Sequence, residues 1–154
     1  VTPIQMARAA AAIANKGDLV APTILKVDDL GAIERHIVDL PKKDFDFIHE
    51  SMREVVLSGT GQILSYLPVK VAAKTGTAET GPNNKYIHSW VMGFFPYQEP
   101  RYAFVVVMDR APAGTLIGGV YAARQFLEWL TVYAPEYTKP LTPLEVADPQ
   151  QLSP

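Results

Sequence analysis

Val71-Ala72-Ala73-Lys74-Thr75-Gly76-Thr77-Ala78-Glu79 is the stretch whose reading decides the fold. The alternation starts two residues earlier and predicts a strand over Val69–Thr77, with Val69, Val71, Ala73, Thr75 and Thr77 on one face. Gly76 weakens a strand interior, so its presence suggests that something approaches the backbone closely there. Thr75 and Thr77 offer two hydroxyls two residues apart, and Lys74 adds a fixed positive charge. A cation, two hydroxyls and an accessible strand edge form a shelf suited to a carboxylate, and backbone N–H groups on that edge can donate to an oxyanion. Strict alternation puts Lys74 on the face opposite the threonines, so it reaches the site around the edge or serves another partner there. The plainer alternative is an edge strand with a surface lysine.

Two further strands follow. Tyr86–Pro96 is rich in aromatic and branched residues, and Tyr102–Met108 is an almost continuous apolar run, as expected of a central strand covered on both faces. The connections Glu79–Lys85 and Tyr97–Arg101 are short and full of turn formers, which predicts antiparallel hairpins. Helices frame these strands. Thr2-Pro3-Ile4-Gln5 has the pattern of a capping box with proline at the first helical position, and the alanine-rich run behind it ends at Asn15-Lys16-Gly17. So many alanines predict a helix packed closely against other backbone and largely buried. Asp44–Ser58 is amphipathic through Phe45, Ile48, Met52 and Val55 or Val56, with Asp44 as N-cap, and Ser58-Gly59-Thr60-Gly61 breaks it. A short helical turn over Gln62–Tyr66 precedes Pro68. Gly118-Gly119 leads into a helix over Val120–Tyr133, with Val120, Ala123, Phe126, Leu127 and Leu130 as its apolar set. Pro22–Val27 and Arg35–Val38 read as two short strands outside the main sheet, flanking the turn Asp28–Gly31. The fold class is therefore α/β of the α+β type, an antiparallel sheet flanked by helices. Residues 1–134 form the folded part, and the proline-rich 135–154 is expected to be an irregular tail.

Composition narrows the function. At 154 residues the chain is of single-domain size, and 48% hydrophobic against 19% charged residues is not the composition of a disordered chain. Fourteen basic against sixteen acidic residues, with no basic stripe, exclude a duplex nucleic-acid binder. The absence of cysteine removes disulfides, thiolate zinc sites and cysteine nucleophiles. His36, His49 and His88 lack metal spacing, and no metal or organic cofactor is called for. Asp28-Asp29 and Asp44/Asp46 read as turn and helix-start residues, Trp90 and Trp129 as core or partly buried aromatics, and Arg101 and Arg110 as solvated, Arg110 lying nearer the shelf. The apolar stretches are too short to span a membrane, and no signal peptide is visible. A start at Val1-Thr2-Pro3, without methionine, is expected of a processed product, an engineered piece or a fragment.

Lys-Thr-Gly is a motif of penicillin-binding proteins and serine β-lactamases, where it accompanies Ser-x-x-Lys and Ser-x-Asn. Alone it is weak, but its setting here is specific. Val1-Thr-Pro-Ile-Gln-Met-Ala7, Gly59-Thr-Gly61, Lys74-Thr-Gly-Thr-Ala-Glu79, His88-Ser-Trp-Val-Met-Gly-Phe-Phe-Pro96 and Gly118-Gly-Val-Tyr-Ala-Ala123 occur in order from Val1 to the last helix. In this the chain resembles the C-terminal part of the transpeptidase domain of class B penicillin-binding proteins, the enzymes that cross-link peptidoglycan. The resemblance implies the serine β-lactamase/transpeptidase-like fold. It implies that Lys74 lies near the Ser-x-Asn hydroxyl, that Thr75 and Thr77 bind the carboxylate of a β-lactam or of a D-alanyl-D-alanine stem peptide, and that the Thr77 N–H is one oxyanion donor. Gly76 would let the ligand lie against the strand, the Glu79–Lys85 loop would edge the cleft, and His88 would fall near it. The parent enzyme would act outside the cytoplasmic membrane, anchored by an N-terminal helix.

None of the serines, Ser51, Ser58, Ser65, Ser89 and Ser153, is followed by lysine at the third position, and none of Asn15, Asn83 and Asn84 completes Ser-x-Asn. The nucleophile and its base are absent from this chain, which is expected to be inactive alone and to need as partner the N-terminal part of the same domain. That truncation also predicts an exposed apolar face along the Pro3–Lys16 helix and the strand edge. Two alternatives are a non-catalytic penicillin-recognising sensor or scaffold homologue, and a class D β-lactamase-like fragment, which shares Lys-Thr-Gly.

Overall fold

A computed structural model describes residues 1–25, 29, 31, 33–115 and 117–139. Helix α1, Pro3–Ala14, begins as its sequence dictates. The Thr2 hydroxyl accepts the Gln5 N–H, and the Gln5 side chain accepts the Thr2 N–H at 2.9 Å, which satisfies two N–H groups that a helix start leaves open. After Asn15 the backbone turns through positive φ at Lys16 and Gly17, and the Gly17 N–H donates to the Ala12 carbonyl at 2.8 Å. The helix is less buried than its alanines imply. Only Ala10 and Ala12 are fully covered, whereas Val1 and Ile4 are exposed. The apolar face expected along α1 is therefore fully exposed only at its start; further along, Met6 and Ile13 are partly covered and each lines an open hollow.

Of the short strand pair, the first member forms earlier than the residue types suggest and the second where they place it. Strand β1, Asp18–Val20, pairs antiparallel with β2, Arg35–Ile37. The Asn15 side chain bonds both the N–H and the carbonyl of Asp18, and Arg8 Nε donates to the Val20 carbonyl at 2.9 Å, so the chain extends directly off the helix end. Pro22 has no N–H to continue the ladder, and Pro22–Leu25 is not strand. Of the segment expected as the first strand and its turn, residues 26–28 and 30 lie outside the described residues.

Helix α2 is Lys42–Leu57, two residues longer at its start than expected. Pro41 occupies the cap position, so Asp44 is not the N-cap but an acidic residue within the first turn, where it favours the helix dipole. The buried stripe is Phe45, His49, Met52 and Val56. His49 completes the helical spacing with a polar residue. Its Nε2 lies 2.7 Å from the Ile13 carbonyl and its ring centre 4.7 Å from that of Phe94, so burial leaves this nitrogen partnered. Lys16 pairs with Asp46 at 2.5 Å, which holds the Asp46 carboxyl below the usual carboxylate range.

The main sheet has the order β3-β4-β5, all antiparallel: β3 Ala72–Thr80, β4 Tyr86–Phe95 and β5 Tyr102–Pro112. Among the described residues β4 is the middle strand, and the apolar run of β5 lies at an edge. That run is half-buried on both sides because helices cover both faces. On one face Ala73, Val91, Phe104 and Val106 pack with Ala123, Leu127 and Leu130 of α3, Gly119–Tyr133. On the other, Ala72 and Phe94 pack with Met52, Ile13 and Ala14. Helix α2 lies along the start of β3 and gives Met52 to one core and Val56 to the other.

Two placements on α3 differ from the sequence pattern. Phe126 and Trp129 are 51% and 52% exposed and stack on each other on the outer side of the helix, so neither is a core residue. The aromatic pair recurs at helical spacing one position off the buried Ala123–Leu127–Leu130 stripe, and periodicity alone does not separate the two. The tail read as irregular starts with a 3₁₀ turn over Pro135–Tyr137. Arg101, expected in solvent, instead points its guanidinium at the carbonyls of Glu136, Tyr137 and Lys139, while the Tyr137 ring rests on Tyr102. Residues 140–154 of that tail lie outside the described residues. Among the described residues no helix is long and apolar enough to cross a membrane.

Candidate active site

The Lys-Thr-Gly strand begins in the core and ends in the open. Val71, Ala72 and Ala73 are fully buried, whereas Lys74 and Gly76–Glu79 are exposed, because α2 flanks only the first half of β3. β3 pairs with β4 along one edge, and its other edge has no strand beside it among the described residues. Such an edge presents alternate backbone N–H and C=O groups to whatever lies next to it.

Along this edge runs a cleft of about 300 Å³. Lys74, Thr75, Gly76, Thr77 and Ala78 form one wall, Trp90, Val91 and Met92 of β4 the floor, and Met6 and Val1 the opposite lip. All four residues singled out from the sequence, Lys74, Thr75, Gly76 and Thr77, therefore line one cleft. The register Lys74↔Met92, Thr75↔Val91, Gly76↔Trp90 and Thr77↔Ser89 keeps the threonines on the α3 side and Lys74 and Gly76 on the α1 side, as alternation requires. The Lys74 ammonium bends back to the Thr75 carbonyl at 2.6 Å.

A Cβ built on Gly76 would touch one atom within 4 Å, Trp90 Cβ at 3.8 Å, an ordinary contact. The close approach expected at this glycine is therefore not made by any described part of the chain, and the space above it is open cleft. Gly59 is the opposite case. A Cβ there would come within 2.9 Å of Val55 Cα and 3.0 Å of its carbonyl oxygen, so the Gly59-Thr60-Gly61 corner folds tightly onto the last turn of α2. This corner carries Thr60 to Thr75, and the two hydroxyl oxygens lie 2.5 Å apart. Thr60 was not among the residues the sequence singled out. Its signal was the pair of glycines around it, which announce a tight corner but not what the corner touches.

Beyond the residues that line the cleft, β4 and β5 pair through a β-bulge. Ile87 pairs with Ala111 and Ser89 with Met108, so Asp109 and Arg110 together face His88 alone. His88 Nδ1 sits 2.5 Å from Asp109 Oδ1, and no metal-like group of three or more ligands occurs among the described residues. Right beside the bulge, Gly119 lets the start of α3 press against the sheet: a Cβ there would come 2.8 Å from the Ser89 carbonyl oxygen, and the Gly119 N–H donates to Ser89 Oγ at 3.0 Å. Ser89 is thus committed to structure.

The penicillin-binding protein transpeptidase domain family matches residues 1–129 of this sequence. The chain belongs to this family. It is 34% identical over 131 residues to the peptidoglycan D,D-transpeptidase FtsI of Escherichia coli strain K12, covering 82% of this chain and 22% of that protein. It is 32% identical over 133 residues to the peptidoglycan D,D-transpeptidase PbpA of Mycolicibacterium smegmatis, covering 80% and 27% respectively. The chain thus spans about a quarter of the length of these relatives. Among solved structures, penicillin-binding protein 2B of Streptococcus pneumoniae superimposes with a TM-score of 0.72 over 87% of this chain and 25% of that one, at 23% identity, a likeness of fold. The transpeptidase domain of penicillin-binding protein 3 from Burkholderia pseudomallei gives 0.68 over 86% and 43%, at 25% identity. The α+β architecture is therefore that of penicillin-binding transpeptidase domains.

Proposed function

We propose that this chain is the C-terminal, substrate-binding part of a peptidoglycan D,D-transpeptidase and that the attacking serine lies on the remainder of the domain. Residues 1–134 are the transpeptidase portion, and 135–154 a proline-rich segment that follows it. Thr75 and Thr77 bind the terminal carboxylate of a D-alanyl-D-alanine stem peptide, or the carboxylate of a β-lactam, with Lys74 supplying positive potential beside them. The Thr77 N–H donates to the developing oxyanion. Gly76 leaves room for the ligand to lie flat on the strand. Thr60, donating to the Thr75 oxygen, turns the Thr75 proton outward to the ligand.

The serine oxygen of the other part attacks the penultimate D-alanine carbonyl, and the serine proton leaves on the amine of the terminal D-alanine. An amine of a neighbouring strand then attacks the ester and restores the serine. A β-lactam imitates the dipeptide, and its opened ring amine stays attached, so the acyl-enzyme persists. No cofactor takes part. The partner surface is the hollow of about 360 Å³ beside the cleft, lined by Ile13, Phe47, Ile48, Met52 and Val55 and bordered by Lys74 and Met92. Its apolar lining suits the N-terminal part carrying Ser-x-x-Lys and Ser-x-Asn. The parent protein is membrane-anchored, acts on the outer, periplasmic side, and serves wall synthesis in cell division or cell shape.

The observation that carries this reading is the open cleft along a free strand edge with Lys74, Thr75, Gly76 and Thr77 on a single wall. Its test is whether penicillin acylates the full-length protein at a serine outside Val1–Pro154.

A further inference from the structure

The outer side of α3 carries a row of aromatic rings that no described element covers. Phe126 and Trp129 stack with ring centres 6.4 Å apart and 14° between their planes, and Tyr133 continues the row 5.6 Å from Trp129. Val132 lies beside them, and Val132 and Tyr133 are 67% and 71% exposed. The two charged residues of α3, Arg124 and Glu128, pair with each other at 2.8 Å. Apolar side chains gathered in one exposed row, unlike apolar residues scattered singly, mark a docking surface.

The chain itself delivers an occupant. After α3 it turns back over Pro135–Tyr137 and is pinned there. The Lys139 N–H donates to the Pro135 carbonyl at 3.0 Å, Thr138 is buried, and Arg101 donates to the Lys139 carbonyl. Residue 140 therefore leaves from a fixed point close to the helix end. Residues 140–154 read Pro-Leu-Thr-Pro-Leu-Glu-Val-Ala-Asp-Pro-Gln-Gln-Leu-Ser-Pro, with no basic residue. Pro140-Leu141 and Pro143-Leu144 repeat every three residues, the period of polyproline II, which sets the two prolines along one edge and the two leucines along the next. That conformation keeps its backbone solvated, and aromatic-lined surfaces are where proline-rich segments dock. Reach is ample. The row from Tyr133 back to Phe126 occupies about 10 Å of helix, and residues 140–154 span about 45 Å as polyproline II, enough to round the helix end and run its length.

We propose that residues 140–154 of the same chain dock along Phe126, Trp129 and Tyr133 as a proline-rich strap, with their leucines against the rings. Tethering favours this occupant over a free partner, because a segment attached so near the row is present at an effective concentration of roughly millimolar. The strap covers the apolar outer side of α3, the helix whose other side packs on the main sheet. Its docking does not depend on the chemistry at the cleft.

The test replaces Trp129 with the photo-cross-linking residue benzoylphenylalanine, itself aromatic, in the full-length protein. Isotope-labelled and unlabelled chains are mixed, irradiated and mapped by peptide mass spectrometry. The expected adducts join position 129 to residues 140–154 within chains of one isotopic composition. In the variant Leu141→Ser, Leu144→Ser their yield is expected to fall roughly fivefold or more, as loss of the leucine contacts requires, whereas a segment merely tethered nearby would cross-link as before. Deleting residues 140–154 is expected to raise the binding of an apolar dye, and adding Trp129→Ser to that deletion to reverse the rise. Adducts of mixed isotopic composition would give the row to a second copy, and adducts to the rest of the domain or to another protein would give it to that partner. Either result, the absence of any adduct, an unchanged yield in the leucine variant, or no rise in dye binding would overturn the strap.

Discussion

Replacing Gly76 with alanine separates a residue kept for folding from one kept for a ligand, because the two roles demand opposite signs. The new methyl meets only Trp90 Cβ at 3.8 Å, and Gly76 does not have a positive φ, so the folded chain accepts it without strain. Losing glycine's extra freedom in the unfolded state stabilises by about 0.4–1 kcal/mol. The fold alone therefore predicts a protein slightly more stable than wild type. The same methyl stands in the cleft, between the β3 edge and Trp90. If a ligand lies flat there, the clash costs roughly 1–3 kcal/mol, as overpacking does elsewhere, which is about a 5- to 150-fold slower acylation. The assays are urea denaturation and the second-order rate of acylation by a fluorescent penicillin, both on full-length protein. Unimpaired acylation, or a stability loss above about 1 kcal/mol, would refute the reasoning: the first removes the ligand from the strand, the second means Gly76 serves packing.

Thr60→Val keeps the shape of the side chain and deletes its proton, so acylation by carboxylate-bearing β-lactams is expected to fall roughly two- to tenfold, with Thr60→Ser restoring most of it in the same kinetic assay. Leu127→Ala, at a fully buried site, is expected to lower stability by about 2–5 kcal/mol in urea denaturation, while Phe126→Ala next to it costs about 1 kcal/mol or less because that ring is half in solvent.

The strands and helices were legible where local chemistry is strong. The capping box of Thr2 and Gln5, the turn-rich loops between the three strands and the breaks at glycine all correspond to observed boundaries to within a few residues. Burial was less legible, because it depends on what packs on each face. Phe126 belongs to the apolar set of its helix and His49 does not, yet α3 turns Phe126 outward, and α2 turns His49 against Phe94 and the Ile13 carbonyl. Tyr102–Met108 read as central because both faces are covered. Coverage by helices and a central place in the sheet are different things, and β5 has only the first among the described residues. At the cleft, the motif named Lys74 through Thr77, but not Thr60 or Met6. Their contribution arises from a corner and a helix start 15 and 68 residues away from Thr75 and Lys74, and no local pattern encodes such a meeting.

The account's central claim is that this segment binds and orients an acyl donor without supplying the nucleophile. Denaturing intact-mass spectrometry of the full-length protein, before and after incubation with penicillin, followed by peptide mapping, tests it most directly. The account predicts a gain of one penicillin, carried by a serine outside Val1–Pro154. An adduct on Ser51, Ser58, Ser65, Ser89 or Ser153, or no adduct at all, would contradict it.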